Sequence, residues 1–264
     1  MKLVLKILLI VLWIGLAAGA GILMGFANQN HDRKPCTGLD ICVDYAGKEP
    51  LITSYDLKQQ LSHRFGPFQK KMLDELDIEA VLAFLKNIPV IGQADAHATI
   101  EGKLVIEVKQ CNPLVRLITL TGENYYLDDK GKVLPVNPNY PSRVVVANGF
   151  IDVPLKAGKS LFQAETKKST ASMKALYEIH SLATLIAADS LLSALIEQLY
   201  IRPDGSILLA TKAGSHTIIF GDSTRAAEKF SNLKAFYKHG LPKTGWNKYR
   251  TINLTYKNQV VCTK

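Results

Sequence analysis

Two strand-forming runs meet head to tail at Cys111-Asn112-Pro113. Upstream, Leu104, Ile106 and Val108 alternate with Val105, Glu107 and Lys109, the period-two pattern of a strand with one face more deeply buried. Pro113 has no backbone N–H and holds Asn112 extended, so the hydrogen-bond ladder breaks there. A new strand starts at once, Leu114 to Leu120, with a turn at Thr121-Gly122. Tyr125-Tyr126-Leu127, the turn Asp128-Asp129-Lys130-Gly131 and Val133-Leu134 then read as a hairpin. One sheet therefore closes at residue 111 and another opens at 112.

The residues before the break form a small αβ pattern. Leu39 to Tyr45 alternates as a first strand; Thr53 and Asp56 make a capping box opening a helix that carries Leu57, Leu61 and Phe65, ended by Gly66-Pro67. Ile78, Val81, Leu82 and Leu85 share a face of a second helix from Asp77 to Lys86, and strands at 91–100 and 103–109 flank the turn Glu101-Gly102. A three-stranded sheet carrying both helices accounts for this order. The residues after the break are richer in strands: Arg143 to Ala147, a polar loop at 157–172, helical signals from Met173 to Leu199, strands at 207–211 and 216–220 about a turn at 202–205, and a helix opened by Asp222-Ser223-Thr224 and ended by Gly240-Leu241-Pro242. Tyr249 to Tyr256 reads as the last strand, extendable through Val261, and a last strand is a natural sheet edge.

Ile7 to Ala27 is a run of 21 uncharged residues, enough to cross a hydrocarbon core about 30 Å thick. It predicts an uncleaved transmembrane anchor behind a short tail at 1–6; a signal peptide cleaved after Ala18-Gly19-Ala20 is the competing reading. Lys2 and Lys6 oppose Arg33 and Lys34, so charge leaves the orientation open. The net charge is +9, of which +6 falls after residue 34; it reads as a mild excess spread along the chain, with no basic stripe to engage nucleic acid. Cys36, Cys42, Cys111 and Cys262 lack metal-site spacing, and stand either as disulfide partners, with three full pairings possible, or as buried thiols.

Catalytic signals are sparse. Six scattered histidines form no metal motif, and no glycine-rich phosphate loop occurs. Thr217 to Arg225, TIIFGDSTR, resembles the nucleophile block of GDS-type esterases, with Ser223 at the turn. Such a serine needs a histidine base oriented by an acid, and only His239 follows, without an acid at the family's spacing. A turn glycine at Gly221 and an N-cap at Asp222 or Ser223 explain the block more simply. A membrane-anchored serine hydrolase stands as the alternative function.

LKNIPVIGQADAHATIEGKLVIEVKQCNPLVRL, GENYYLDDKGKVLPV and YRTINLTYKNQVVC together resemble the bacterial cell-division family FtsQ/DivIB, in wording close to its Bacteroidetes branch. The resemblance implies an α+β protein: a single N-terminal transmembrane helix (7–27), a linker (28–37), a small POTRA-like αβ domain (38–111) and a larger strand-rich β domain with helices (112–264). It also implies a non-enzymatic scaffold of the inner membrane and division septum, N-terminus cytoplasmic, with no cofactor, metal or small-molecule substrate. Its β domain would bind FtsB-like and FtsL-like partners by strand addition to the last strand. Tyr256 matches the family's partner-binding tyrosine, Thr255 stands where an arginine is common, and Arg202 corresponds to a further contact arginine. The augmented strand would run from Arg250 through Asn253 to Val261.

Overall fold

The structure, a computed structural model, describes residues 12–21, 35–163 and 170–264. Residues 12–21 are helical (α1), with Leu12, Trp13, Ile14 and Leu16 exposed. The remainder of the expected 7–27 span lies outside the described residues, and among those described no helix is long and apolar enough to cross a membrane. The chain folds into two compact units. One takes in the described residues up to Asp44, Thr53–Lys86 and Gln93–Val108; the other takes in Tyr45–Ile52, Asn87–Gly92 and Lys109–Lys264.

The first unit is built on β1 (Gly38–Asp44), α2 (Ser54–Phe65), α3 (Ile78–Lys86), β2 (Ile91–Ala98) and β3 (Lys103–Gln110), in a sheet of order β1-β3-β2. Helix α2 starts where Thr53 Oγ1 accepts from Asp56 N–H at 3.1 Å and the Asp56 carboxylate accepts from Thr53 N–H at 3.1 Å, a reciprocal cap. Leu57 and Leu61 of α2, Val81 and Leu85 of α3, and Leu104, Ile106 and Val108 of β3 are buried.

The second unit carries a nine-stranded mixed sheet: β4 (Pro113–Ile118), β5 (Asn124–Asp128), β6 (Val133–Pro135), β7 (Val145–Gly149), β8 (Ile196–Ile201), β9 (Ile207–Thr211), β10 (Thr217–Gly221), β11 (Thr251–Asn253) and β12 (Val261–Thr263). Its order is β12-β11-β10-β9-β8-β7-β4-β5-β6. Parallel neighbours need a crossover. Between β7 and β8 it includes α4 (Thr170–Ala187) and α5 (Ser190–Leu195); between β10 and β11 it is α6 (Ala226–Ala235), a π-helical turn Phe236–Gly240 and α7 (Leu241–Thr244). Leu176, Ile179, Leu182 and Ile186 of α4 and Phe230, Leu233 and Leu241 of the second crossover join Val115, Leu117, Ala147, Leu199, Leu209, Ile218 and Ile252 in one core.

Three expectations are corrected. The helical signal to Leu199 overruns: Asp189 caps α5, accepting from Leu191 N–H at 3.0 Å and Leu192 N–H at 3.1 Å, and Ile196 opens β8. A bulge between Ile196 and Gln198 puts Ile196 and Leu199 three apart on the buried face, which imitates a helical period. The last crossover helix begins at Ala226, not at Asp222, and helical structure continues past Pro242 to Thr244. Pro242 cannot donate back to the preceding turn, and the π-helical turn at Phe236–Gly240 sits just ahead of it. Finally, Tyr249 to Val261 is not one strand. Asn253 Oδ1 accepts from Thr255 N–H at 2.9 Å and Thr255 Oγ1–H at 2.7 Å, diverting the backbone into a turn, and Asn258 at φ 58° completes the reversal into β12.

Candidate functional site

The two rims of the large sheet differ. At β6 the backbone is already engaged: Val133 N–H donates to Lys159 O at 2.8 Å and Gly158 N–H to Val133 O at 2.8 Å. At the opposite rim β12 is outermost among the described residues, and β11 lies between β10 and β12. Leu254 N–H donates to Ile219 O at 2.9 Å, so Leu254 and, by alternation, Ile252 turn their backbone groups toward β10. Thr251 and Asn253 then face β12, and their register partners Thr263 and Val261 face back. Cys262 is left with its N–H and C=O pointing outward from the sheet, the groups that an added strand would use.

The tip joining β11 to β12 is held from below. Arg225 guanidinium donates to Thr255 O at 3.0 Å and contacts Glu228 at 3.4 Å, while Asn258 N–H donates to the same Glu228 carboxylate at 3.3 Å. Arg225 adopts the left-handed conformation, φ 54°, between Thr224 and α6. Thr255 Cγ2 closes over Gly221, where any Cβ would lie 2.9 Å away. Beneath this contact the buried Lys229 ammonium donates to Asp222 O at 2.9 Å and Asp222 Oδ1 at 3.0 Å, and lies 4.9 Å from the centroid of Phe220. Asp222 also accepts from Thr224 N–H at 3.1 Å and from its hydroxyl at 2.5 Å. The Thr224 hydroxyl, followed by Lys229, holds the Asp222 carboxyl down at about 2.

Of the residues singled out from sequence, Arg250, Asn253, Thr255 and Tyr256 come together on this hairpin. Tyr256 is 50% exposed at its tip, and Arg250 is exposed just before β11. Asn253 and Thr255 are spent on the turn. Arg202 is exposed, 3.9 Å from Asp204, in the turn from β8 to β9. Gly221 pairs with Ile207 and Ile219 with Asn253, so that turn and the hairpin tip emerge at the same end of the sheet. Arg225, Glu228 and Lys229 were not singled out; the Asp222-x-Thr224 spacing marks the turn, but nothing local marks its bond to Thr255, thirty residues on.

Ser223 does not occupy a strand-to-helix elbow: Asp222 through Arg225 intervene between β10 and α6, and the groove that Ser223 lines is otherwise formed by Met173, Lys174, Tyr177, Glu178 and Ser181, without an imidazole. His216 is buried and bonded to the Tyr237 hydroxyl. Among the described residues no three His, Cys, Asp or Glu side chains gather to hold a metal. The four cysteines are free thiols, Cys36 and Cys111 buried and Cys42 exposed.

A family model described as FtsQ/DivIB, C-terminal related, matches residues 112–263, more than half of the 264-residue chain. The chain belongs to the FtsQ/DivIB family. Comparison with curated proteins found no match. The family match runs from Asn112, beside the strand break, through β12, and thus takes in every strand of the FtsQ/DivIB-related sheet. This relationship ties the chain to cell division and septation and to protein partners, in a family that is generally non-enzymatic.

Proposed function

We propose that this chain is a scaffold of the division machinery that captures an FtsB-like partner, and with it an FtsL-like one, by strand addition to β12. The observation that carries this is the position of β12: the family-matched region reaches an outer strand whose Cys262 backbone groups face outward. Tyr256 at the hairpin tip supplies an exposed aromatic anchor beside that edge, and Arg202 flanks the same end of the sheet. The uncharged run at 7–27, whose described part exposes Leu12, Trp13, Ile14 and Leu16, supports an inner-membrane anchor, and the family resemblance is what supports a cytoplasmic N-terminus. A POTRA-like module at 38–111 then stands between anchor and β domain, and the assembly works at the septum.

The edge assignment changes which substitution tests the function. A proline at Asn253 would break a bond between β11 and β12, whereas Cys262→Pro removes an outward N–H and leaves that ladder intact. Cys262→Pro and Tyr256→Ala in the full chain should each weaken capture of the FtsB-like protein by roughly tenfold or more while keeping the wild-type urea midpoint. Undiminished capture by both variants would overturn the proposal.

A further inference from the structure

The end of the large sheet opposite the hairpin tip is made by two segments that hold one another. One is the turn 212–216 from β9 to β10; the other, 236–250, runs from the π-helical turn through α7 to the start of β11. Buried Tyr237 joins them, its hydroxyl bonded to His216 Nε2 and 3.1 Å from Thr211 Oγ1. Trp246 meets the same Tyr237 ring edge to face with centroids 5.8 Å apart, and its carbonyl oxygen would lie 3.3 Å from a Cβ at Gly214. Trp246 is thus fixed on one side and still 41% exposed. An indole held this way, with an apolar body and a polar N–H, suits a boundary between apolar and aqueous phases.

Around Trp246 the two segments contribute Lys212, Lys238, Lys243, Lys248 and Arg250, all exposed, and no Asp or Glu. None of the five has a carboxylate partner among the described residues. Glu197 follows Ile196, the register partner of Thr211, and offsets one of them; Lys234 is already paired with Asp189. The expectation of an excess spread along the chain is therefore corrected. The backbone here is closed, since Thr217 N–H donates to Arg250 O at 2.9 Å and Arg250 N–H to Thr263 O at 2.8 Å. Side chains, not a free ladder, are what Arg250 offers a ligand.

We propose that this end of the sheet docks on the headgroups of an anionic lipid bilayer, with the Trp246 indole entering the interface and the surrounding Lys and Arg side chains meeting lipid phosphates. Cations set around an exposed aromatic suit a broad anionic surface, each gaining from its potential and the indole gaining from the acyl boundary. The same chain carries the uncharged run at 7–27, long enough to place it on such a bilayer. The proposal does not rest on strand addition: Tyr256 and Arg202 lie at the other end of the sheet, where Gly221 pairs with Ile207.

The test uses the full chain carrying Trp13→Phe, which leaves Trp246 as its one tryptophan. The chain is held in phosphatidylcholine nanodiscs and mixed with separate vesicles, so that capture is read apart from the anchor. Vesicles with about 30% phosphatidylglycerol should carry the chain in flotation, and raising salt from about 50 to about 500 mM should release most of it. On those vesicles Trp246 emission should move to the blue by about 5 nm or more and be quenched by lipids brominated on their acyl chains; phosphatidylcholine vesicles should do neither. Lys243→Glu combined with Lys248→Glu should weaken vesicle binding at least about tenfold while keeping the wild-type urea midpoint and capture of the FtsB-like protein. Equal flotation with the two vesicle types, binding that leaves Trp246 emission unmoved, or binding untouched by the paired substitution overturns the proposal. Binding abolished by about 5 mM inorganic phosphate, a concentration too low to screen the surface, would assign the cations to a free ion and overturn it as well. Capture of the FtsB-like protein is read on the same samples, and its failure bears on strand addition alone.

Discussion

At the scale of single residues, burial shifts two titratable groups beside the strand break, Asp128 and Cys111. Asp128, in the turn from β5 to β6, is buried; its Oδ1 accepts from Lys130 N–H at 2.9 Å and Lys132 N–H at 2.7 Å. Burial nonetheless holds its carboxyl above the ordinary value of 3.8. The folded chain then keeps this proton to higher pH than the unfolded chain, so stability from Asp128 is lost as pH rises from 3.8 through the folded value. Asp128→Asn should remove that loss, and its urea midpoint should gain on that of the wild type between about pH 4 and pH 7. A gap between the two midpoints that stays constant over that range would contradict this. Nearby, burial pushes the Cys111 thiol up to about 11, which keeps it protonated and unreactive at neutral pH. The Asp128 turn is legible in sequence because Asp-Asp-Lys-Gly is turn chemistry. Its burial is not, because the covering side chains, such as His180 bonded to the Asp128 carbonyl at 3.1 Å, come from a distant helix.

At the scale of elements, the outcome depends on whether a segment's neighbours are local. The capping box at Thr53, the hairpin at 124–135 and the turn at 202–205 are set by residues within a few positions, and the sequence pattern finds them. The end of α5 and the split of the last strand are set by a bulge against β9 and by Asn253 turning on Thr255, and periodicity misreads both. Two glycines show the same division. Gly149, φ 97°, pairs with Ile201 at the end of β7, and a Cβ there would lie 2.3 Å from the Ile201 carbonyl oxygen. Gly205, φ 82°, closes an exposed turn with nothing within 4 Å. Gly205→Ala should cost about 1 kcal/mol, the left-handed penalty alone. Gly149→Ala should cost about 3 kcal/mol or more, because backbone must move as well. Equal losses in the two denaturation curves would contradict the close approach of β7 and β8.

At the scale of the molecule, the sequence break at Cys111-Asn112-Pro113 marks where the large sheet begins, and the family match begins there too. What that break does not reveal is which backbone groups the last strands leave open. The edge lies on β12 because β11 has neighbours on both sides, a consequence of the parallel crossover through α6 and α7. The cationic excess is legible without any structure and gathers in the tail rather than spreading along the chain, since no Asp or Glu follows Glu228 while eight of the 32 Lys and Arg do. The central claim is that a partner strand pairs with β12, and amide hydrogen exchange on the full chain, free and bound to the FtsB-like protein, reads that pairing directly. The Cys262 amide should exchange at least about tenfold more slowly in the complex, with Val261 and Thr263 changing less because the ladder to β11 already holds them. Cys262 exchange unaltered by a bound partner, with protection appearing on other elements, would contradict the account.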